Sequence, residues 1–522
     1  EAAEEAAELI EIDWDSRESV ADAGEALKEG APLVWPQYET NRAFRYAHGD
    51  REATDAAFAK AARVARLTLV NNRLVTNYME TRGAVGEYDA ASGRYTLTVG
   101  SQGGHSMKGG IAADIMKIEP DRIRGMARAI DVAVAAGHPG GPLTGVPVAI
   151  KDENRIKGRR TTSGSLVFQD AVDTYTSLSV ERILTAGGIV HARSTTPEFA
   201  CAGVTHSRLW GVSRNPWNTD YTTGGSSGGA GGALAAGTTT LANGSDIWGS
   251  IRMPAACCGV LGFKPPYGRV PEDSPFNLDF YCHEGPMARS VADLSLLQNV
   301  MAGPHPRDIA TVRPKLTIPA ELKPIRGWKI AYSMDLGYFE VDPEIVRNTQ
   351  ATLDMLRDLG ATVEEVDLGW NETTLTAASN YLGHFFGNSL ATLLPRHRDQ
   401  MTNYARAFAE FGQSTTAADY LSSMEVLNEM YATLGPLLER YNVLMCPTMP
   451  LPAVPADYDP GVDTCRINGK TVHPVWGWTM TYPFNMMSRC PVMSVPSGFA
   501  SNRVPTGVQI VGRTYDDVSV FR

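Results

Sequence analysis

The chain has 522 residues, 43% of them hydrophobic and 20% charged, and a formal net charge of −11. That is a core-forming globular composition, long enough for roughly two to four domains or one very large one, and its acidic balance argues against a nucleic-acid backbone as the main partner, which wants a basic face. No apolar run reaches the length of a membrane span, and the acidic opening EAAEEAAELIE does not read as a signal peptide.

In chain order, the front opens with an alternating segment, ELIEIDW, followed by a helix-like TDAAFAKAARVARL and a strand-like RYTLTVGSQGG. From residue 125 onward strand and helix signals alternate in the α/β manner. GVPVAIKD (145–152) reads as a buried strand. LSVERILTAGG (178–188) reads as a helix ended by glycine, and IVHARS (189–194) as the next strand. WKIAYSM, a helix near 343–358 and ATVEEVDL repeat the pattern. Residues 371–440 are poor in glycine and mostly helical, which suggests a cap or insertion. YNVLMCPTMPLPAVP and CPVMSVPSGF read as short apolar strands ended by proline. The seven cysteines form no C-x-x-C pair. Neither a zinc cluster nor a redox motif is indicated, and reduced thiols in a cytoplasmic protein are the simplest account.

The densest signal is TTGGSSGGAGGALAAGTTTLANGSDIWGSIRMPA at 222–255. Eleven glycines fall between Gly224 and Gly262. Each ordered glycine costs conformational entropy, so the run is a flexible linker or a tight backbone site. The apolar residues within and after it, from Ala233–Ala236 to Ile251 and Met253, argue for the second. A phosphate-cradling loop is excluded because no lysine follows the glycines in the required register. A G-x-S-x-G elbow is literally present as Gly224-Gly225-Ser226-Ser227-Gly228, but the turn-like SRNPWNTDYTT before it is not the strand that motif needs.

Two serines and a lysine make a better set. Ser226 and Ser250 are 24 residues apart, and Lys151 lies 75 residues before Ser226 at the end of GVPVAIK. A serine hydroxyl needs a base, and a lysine can be that base only when neutral. Burial disfavours its charged form, so the end of an apolar strand is a suitable place. Glycines around Ser250 let backbone N–H groups converge into an oxyanion hole. Asp152 is read as a hydrogen-bonding neighbour rather than an acid or base. Cys257 and Cys258, within PAACCGVLGF, are read as inert buried thiols. The ten histidines form no cluster and receive no role.

GVPVAIKD, TTSGS, RNPWN, GGSSGG, GSDIWGSIRMPAACCGVLGFKP, YPFN, SVPSGF and GVQIVGR together resemble the amidase signature family from about residue 125 to the C-terminus. The resemblance implies an α/β fold with a mixed β-sheet core covered by helices. It implies amide C–N hydrolysis by a Ser–cis-Ser–Lys triad through an acyl-enzyme. Ser250 would be the nucleophile, Ser226 the bridging serine with a cis peptide, and Lys151 the base. The backbone amides of Ile247, Trp248, Gly249 and Ser250 would form the oxyanion hole, with Asp246, Arg252 and Ser227 supporting the loop. No cofactor or metal is expected. The partner would be a small-molecule amide, with no nucleic acid and no membrane; a homodimer is left open. The acyl pocket is expected to come from residues 371–490 and to suit an uncharged group. Trp248 departs from the family, which usually has a small residue there; a negative φ would keep its amide usable and let the indole narrow the pocket. The A-type chain of a transfer-RNA-dependent amidotransferase is the alternative within the family.

The front is different. ELIEIDWDSRESVADAGEAL, GAPLVWPQ, NNRLVTNYMETRGAVGEYDAASGRYTLTVGSQGGH and IMKIEPDRIR resemble the large subunit of molybdenum hydroxylases, over residues 1–124. Gln102 matches a glutamine that lies near the cofactor in that family. The family's glycine-rich cofactor loop and catalytic glutamate are missing, so cofactor binding is not expected. The chain thus reads as two unrelated pieces joined near Arg124–Gly125: a partial α+β segment (1–124) and an amidase signature domain (125–522) without its first helices and extreme C-terminus. A molybdenum-dependent oxidoreductase fragment or an inactive fusion product is the remaining alternative.

Overall fold

The structure is a computed structural model. It describes residues 140–522, the helix Pro120–Ala135 and the two residues after it, the strands Ala84–Asp89 and Arg94–Val99, residues 28–33 and scattered positions between 37 and 60. The chain divides into two compact units, Glu1–Gly100 and Ser101–Arg522. In the first, β1 (Ala84–Asp89) pairs antiparallel with β2 (Arg94–Val99), Ala84 opposite Val99. The strand expected in RYTLTV is therefore present. ELIEIDW and Gln102 lie outside the described residues, as do most of TDAAFAKAARVARL and residues 34–36 of GAPLVWPQ. In the second unit, α1 (Pro120–Ala135) is unbroken, and the join expected at Arg124–Gly125 falls inside it.

Ten strands build one mixed sheet in the second unit: β3 (Pro147–Lys151), β4 (Ile189–Ser194), β5 (Leu241–Ser245), β6 (Leu261–Lys264), β7 (Glu284–Ala288), β8 (Lys329–Tyr332), β9 (Thr362–Glu365), β10 (Val443–Pro447), β11 (Val492–Phe499) and β12 (Pro505–Gly512). Their spatial order is β9-β8-β10-β12-β11-β6-β7-β5-β3-β4. β3 is parallel to both β4 and β5, and its continuous apolar run suits a strand covered on both faces. Because β3 and β5 run the same way, Lys151 and Ser245 finish at one edge of the sheet. The chain leaves β5 there into the loop 246–251 and then α4 (Arg252–Cys258). β7 returns antiparallel to β5 and sets Glu284 opposite Ser245. Carboxyl ends of strands in open α/β sheets are where sites form.

The helices α2 (Leu178–Thr185) and α5 (Val291–Met301) cover one face, where Val180, Ile183, Leu294 and Leu297 pack on Val148, Ile150 and Leu241. α3 (Gly228–Ala235) is the glycine-rich helix; a Cβ on Gly229 would stand 2.3 Å from the backbone nitrogen of Thr195, so the glycines allow backbone-to-backbone packing. The expected helix near 343–358 is α6 (Pro343–Asp358). Asp342 caps it by accepting from the Glu344 amide, and Pro343 starts it. Residues 371–440 are indeed mostly helical, with α7 (Thr373–Leu382), α8 (Asn403–Ser414) and α9 (Ala417–Arg440), and they share an apolar cluster with Trp248, Trp476 and Tyr482. One strand expectation is corrected. β10 ends at Pro447, but β11 continues through Pro496, where the register shifts between Pro496 and Gly498. A bulge is where a strand tolerates the missing proline N–H.

Candidate active site

The end of β3 carries Lys151 into the interior with no exposed surface. Its Nζ donates to Ser226 Oγ at 2.7 Å and to Ser245 Oγ at 2.8 Å, and lies 3.1 Å from Glu153 Oε1. The Lys151 amide donates to Asn243 Oδ1 at 2.9 Å, which ties β3 to β5 at this height. Ser226 and Ser250 are both buried, and the Gly225–Ser226 peptide is cis. The serine segments meet through backbone: the Ser227 amide donates to the Ser250 carbonyl at 3.1 Å, and Ser227 Oγ donates to the Ser245 carbonyl at 3.3 Å. Among the described residues no hydrogen bond joins the Ser226 and Ser250 hydroxyls directly.

The loop before Ser250 is held by Asp246 and Arg252. Both are fully buried. All five guanidinium N–H donors are used: Nε on Asp246 Oδ2 (3.0 Å), Nη1 on the Thr481 carbonyl and Gln509 Oε1 (2.9 Å each), and Nη2 on Asp246 Oδ1 (2.9 Å) and Asn485 Oδ1 (2.7 Å). Burial alone would push the Asp246 carboxyl up, but the Arg252 charge and the donors from Arg252 and Asn485 outweigh it and hold the group well below the usual carboxylate range. Asp246 Oδ1 also accepts from the Gly249 amide at 2.8 Å. That N–H is thereby engaged inside the loop. The amides of Ile247, Trp248 and Ser250 have no acceptor among the described residues. Buried amides without partners are costly, and these three lie in the loop that runs up to Ser250. Gly249 adopts φ +120°, and a Cβ there would lie 1.9 Å from Thr481 Oγ1, so only glycine fits.

Trp248 is not among the positive-φ residues. Its indole is buried, stacked on Tyr482 at 4.5 Å and tilted against Trp476 at 4.2 Å, with Nε1 donating to Thr479 Oγ1 at 2.9 Å. It borders a narrow gap beside Ser250 together with Phe408, Val475 and Trp476. Behind that gap lies an apolar cavity of about 350 Å³, built largely from residues 375–476. A second cavity, of about 360 Å³, opens on Ser226 and Ser245. Phe386, Leu390 and Leu393 of its lining come from the helical region, but most of the wall comes from 153–179 and 272–284. Those segments follow β3 and precede β7, so the sheet edge brings them to the site. They also place the carboxylates Glu153, Glu272 and Glu284 on the wall.

Asp152 points away from this cluster; it accepts from the Thr162 amide (3.1 Å), the Thr162 hydroxyl and Trp210 Nε1 (3.2 Å), the neighbour role expected of it. Cys257 and Cys258 are buried, and burial pushes the Cys257 thiol up to about 12. Sequence reasoning missed Glu153, Ser245, Glu284, Thr481 and Asn485. Asn485 sits in YPFN and Ser245 in GSDIWGS, so both lay within recognised segments; no local feature marked Glu153.

Residues 114–521 match the amidase family model. The chain belongs to the amidase family. An acylamidase of Rhodococcus erythropolis is 31% identical over 414 residues, 78% of this chain and 86% of that one. The A-type chain of the glutamyl-tRNA(Gln) amidotransferase of Desulforamulus reducens is 30% identical over 429 residues, 76% of this chain and 85% of that one. The crystal structure of a bacterial aryl acylamidase of the amidase signature family is 29% identical, covers 77% of this chain and 86% of that chain, and superposes with a TM-score of 0.73. The mixed sheet is thus the amidase signature fold. Residues 34–130 match a molybdopterin cofactor-binding domain model, overlapping the amidase match over 114–130. Most of that segment lies outside the described residues.

Proposed function

We propose that this amidase-family chain hydrolyses a small carboxylic amide, with Ser250 as nucleophile, Ser226 as proton bridge and Lys151 as base. The observation that carries the reading is the 2.7 Å contact between the buried Lys151 Nζ and Ser226 Oγ, beside a loop with three unpartnered amides. In the reaction neutral Lys151 accepts the Ser226 proton while Ser226 accepts that of Ser250. Ser250 Oγ attacks the carbonyl carbon. The oxyanion is held by the amides of Ile247, Trp248 and Ser250, each such donor worth about 10²-fold or more in rate. The proton returns through Ser226 to the leaving amine, and water then cleaves the ester. Gly249, included in the expected oxyanion hole, serves in this scheme by bonding Asp246 and shaping the turn.

The test is labelling of the purified chain with a fluorophosphonate. Ser250 is expected to carry the adduct, and an adduct elsewhere or none removes the assignment. That outcome would favour the inactive-fusion reading. The amidotransferase reading is supported by relatives such as that from Desulforamulus reducens; amide hydrolysis by the isolated chain counts against it. We further propose the division at Arg124–Gly125 into a partial molybdenum-hydroxylase-like segment and an amidase domain, supported by the two matches that overlap at 114–130. A cytoplasmic location is supported by seven buried, unpaired thiols.

Trp248 sets the acyl side. Trp248→Gly is expected to widen acceptance toward bulky acyl groups in a panel of anilides, at about 3–5 kcal/mol of stability for the lost indole. An unchanged acyl preference in a folded variant would show that the indole does not bound the pocket.

A further inference from the structure

Asp246 directly follows β5 and His283 directly precedes β7. The antiparallel pairing of those strands sets the two residues side by side, and the Asp246 amide donates to the His283 carbonyl at 2.7 Å. The His283 ring returns to the same residue. Its Nδ1 lies 3.1 Å from the Asp246 carbonyl oxygen; its Nε2 lies 3.1 Å from the Ser488 carbonyl oxygen and 3.5 Å from Lys264 Nζ. Asn485 Nδ2 donates to the Asp246 carbonyl as well, at 3.0 Å. His283, Lys264 and Asn485 are all buried.

The tautomer is assigned from these neighbours. Burial first, and then the Lys264 charge, push the imidazole down to about 3, so the ring is neutral and holds one N–H. Lys264 Nζ brings N–H groups to Nε2, which can receive one only as a bare nitrogen, so the proton sits on Nδ1. The Ser488 carbonyl, which a bare Nε2 cannot serve, accepts from the Tyr267 amide at 2.9 Å. Nδ1–H therefore donates to the Asp246 carbonyl.

That carbonyl and the Ile247 N–H belong to one planar trans peptide unit and point opposite ways. Two side-chain donors on the carbonyl fix the plane from behind and polarise it, which strengthens the N–H as a donor. The other two open amides lack such support. The Ile247 carbonyl, in one unit with the Trp248 N–H, accepts nothing among the described residues, and the Gly249 carbonyl, in one unit with the Ser250 N–H, accepts from the Met253 amide of its own turn at 2.7 Å. Resting on the reading of this loop as the oxyanion site, we propose that His283 is a positioning residue for the reaction: with Asn485 it aims and strengthens the Ile247 N–H that meets the oxyanion.

The oxyanion exists only on the way to and from the acyl-enzyme, so the effect belongs in kcat and not in KM. In His283→Leu, kcat on an anilide is expected to fall about 10-fold with KM unchanged, less than the roughly 10²–10³-fold that loss of an entire donor brings. His283→Asn carries an amide N–H to the place of Nδ1 and is expected to recover most of the rate. His283→Gln carries it to the place of Nε2 and is expected to be as slow as His283→Leu. A thermal melt and the extent of Ser250 labelling by a fluorophosphonate at saturation count the folded, complete sites of each variant. An unchanged kcat in folded His283→Leu, a loss carried by KM, or a His283→Asn as slow as His283→Gln overturns the proposal. Should His283→Leu not fold, the comparison of Asn with Gln decides alone. If the parent is labelled at Ser250 and the variants turn over normally, only the role of His283 falls. If Ser250 of the parent takes no label, the reading of the loop falls and this one with it.

Discussion

Replacing Ser250 with alanine is expected to lower amide turnover by about 10⁴-fold or more, and Lys151→Ala by a comparable factor. The reason is that the two act as one unit. Lys151 Nζ is joined to Ser226 Oγ at 2.7 Å and has no exposed surface, so the hydroxyl has this amine as its partner. Without the lysine the Ser250 hydroxyl keeps its proton and is a poor nucleophile. Without the hydroxyl the lysine has nothing to activate. The double variant is therefore expected to be no slower than Ser250→Ala alone, the non-additivity of groups that share one step. Residual rate in both would come from the loop amides alone. Single-turnover kinetics on an activated anilide checks this. Multiplicative losses in the double variant would mean that the two residues act in separate steps.

Arg252→Ala is expected to cost about 3–5 kcal/mol of stability and to abolish activity together with it. The guanidinium makes five hydrogen bonds to four residues: Asp246, Thr481, Asn485 and Gln509. Its removal leaves the Asp246 carboxylate buried and unpaired. Asp246 in turn accepts from the Gly249 and Ile251 amides, at 2.8 and 3.2 Å. The loop that presents the Ile247, Trp248 and Ser250 amides thus loses its brace as well as its charge balance. Arg252→Lys keeps the charge but cannot reproduce the fork of donors, so it is expected to recover part of the stability and little of the rate. Urea unfolding and initial-rate measurements on the two variants separate these effects. Wild-type-like unfolding of Arg252→Ala would show that the buried pair contributes nothing net.

Much of this protein was readable along the chain. GVPVAIK had to be a buried strand, because six apolar or small residues before a lysine leave no solvent face. A helix near 343–358 was expected, and in the fold the Asp342 carboxylate caps it and Pro343 starts it. The glycines of 224–262 announced close backbone packing, and the packing they allow is visible at Gly229 and Gly249. These are local demands, met by residues within one turn or strand of each other.

Which residues meet across the sheet was not readable that way. Lys264 also ends an apolar strand and is as buried as Lys151, yet its Nζ donates to the Cys490 carbonyl at 2.9 Å, far from Ser226 in the bonding network. Burial and the Arg252 charge push Lys264 down to about 7, so a lowered affinity for protons does not mark the base either. Only the parallel pairing of β3 with β5 puts Lys151 beside Ser245, and only the return of β7 brings Glu284 there. Composition, periodicity and motif spacing determined the strand, the turn and the chemical types available. The order of strands in the sheet decided which lysine meets the Ser226 hydroxyl, which carboxylate faces it and which amides stay unpaired, because those relations rest on contacts between segments tens to hundreds of residues apart.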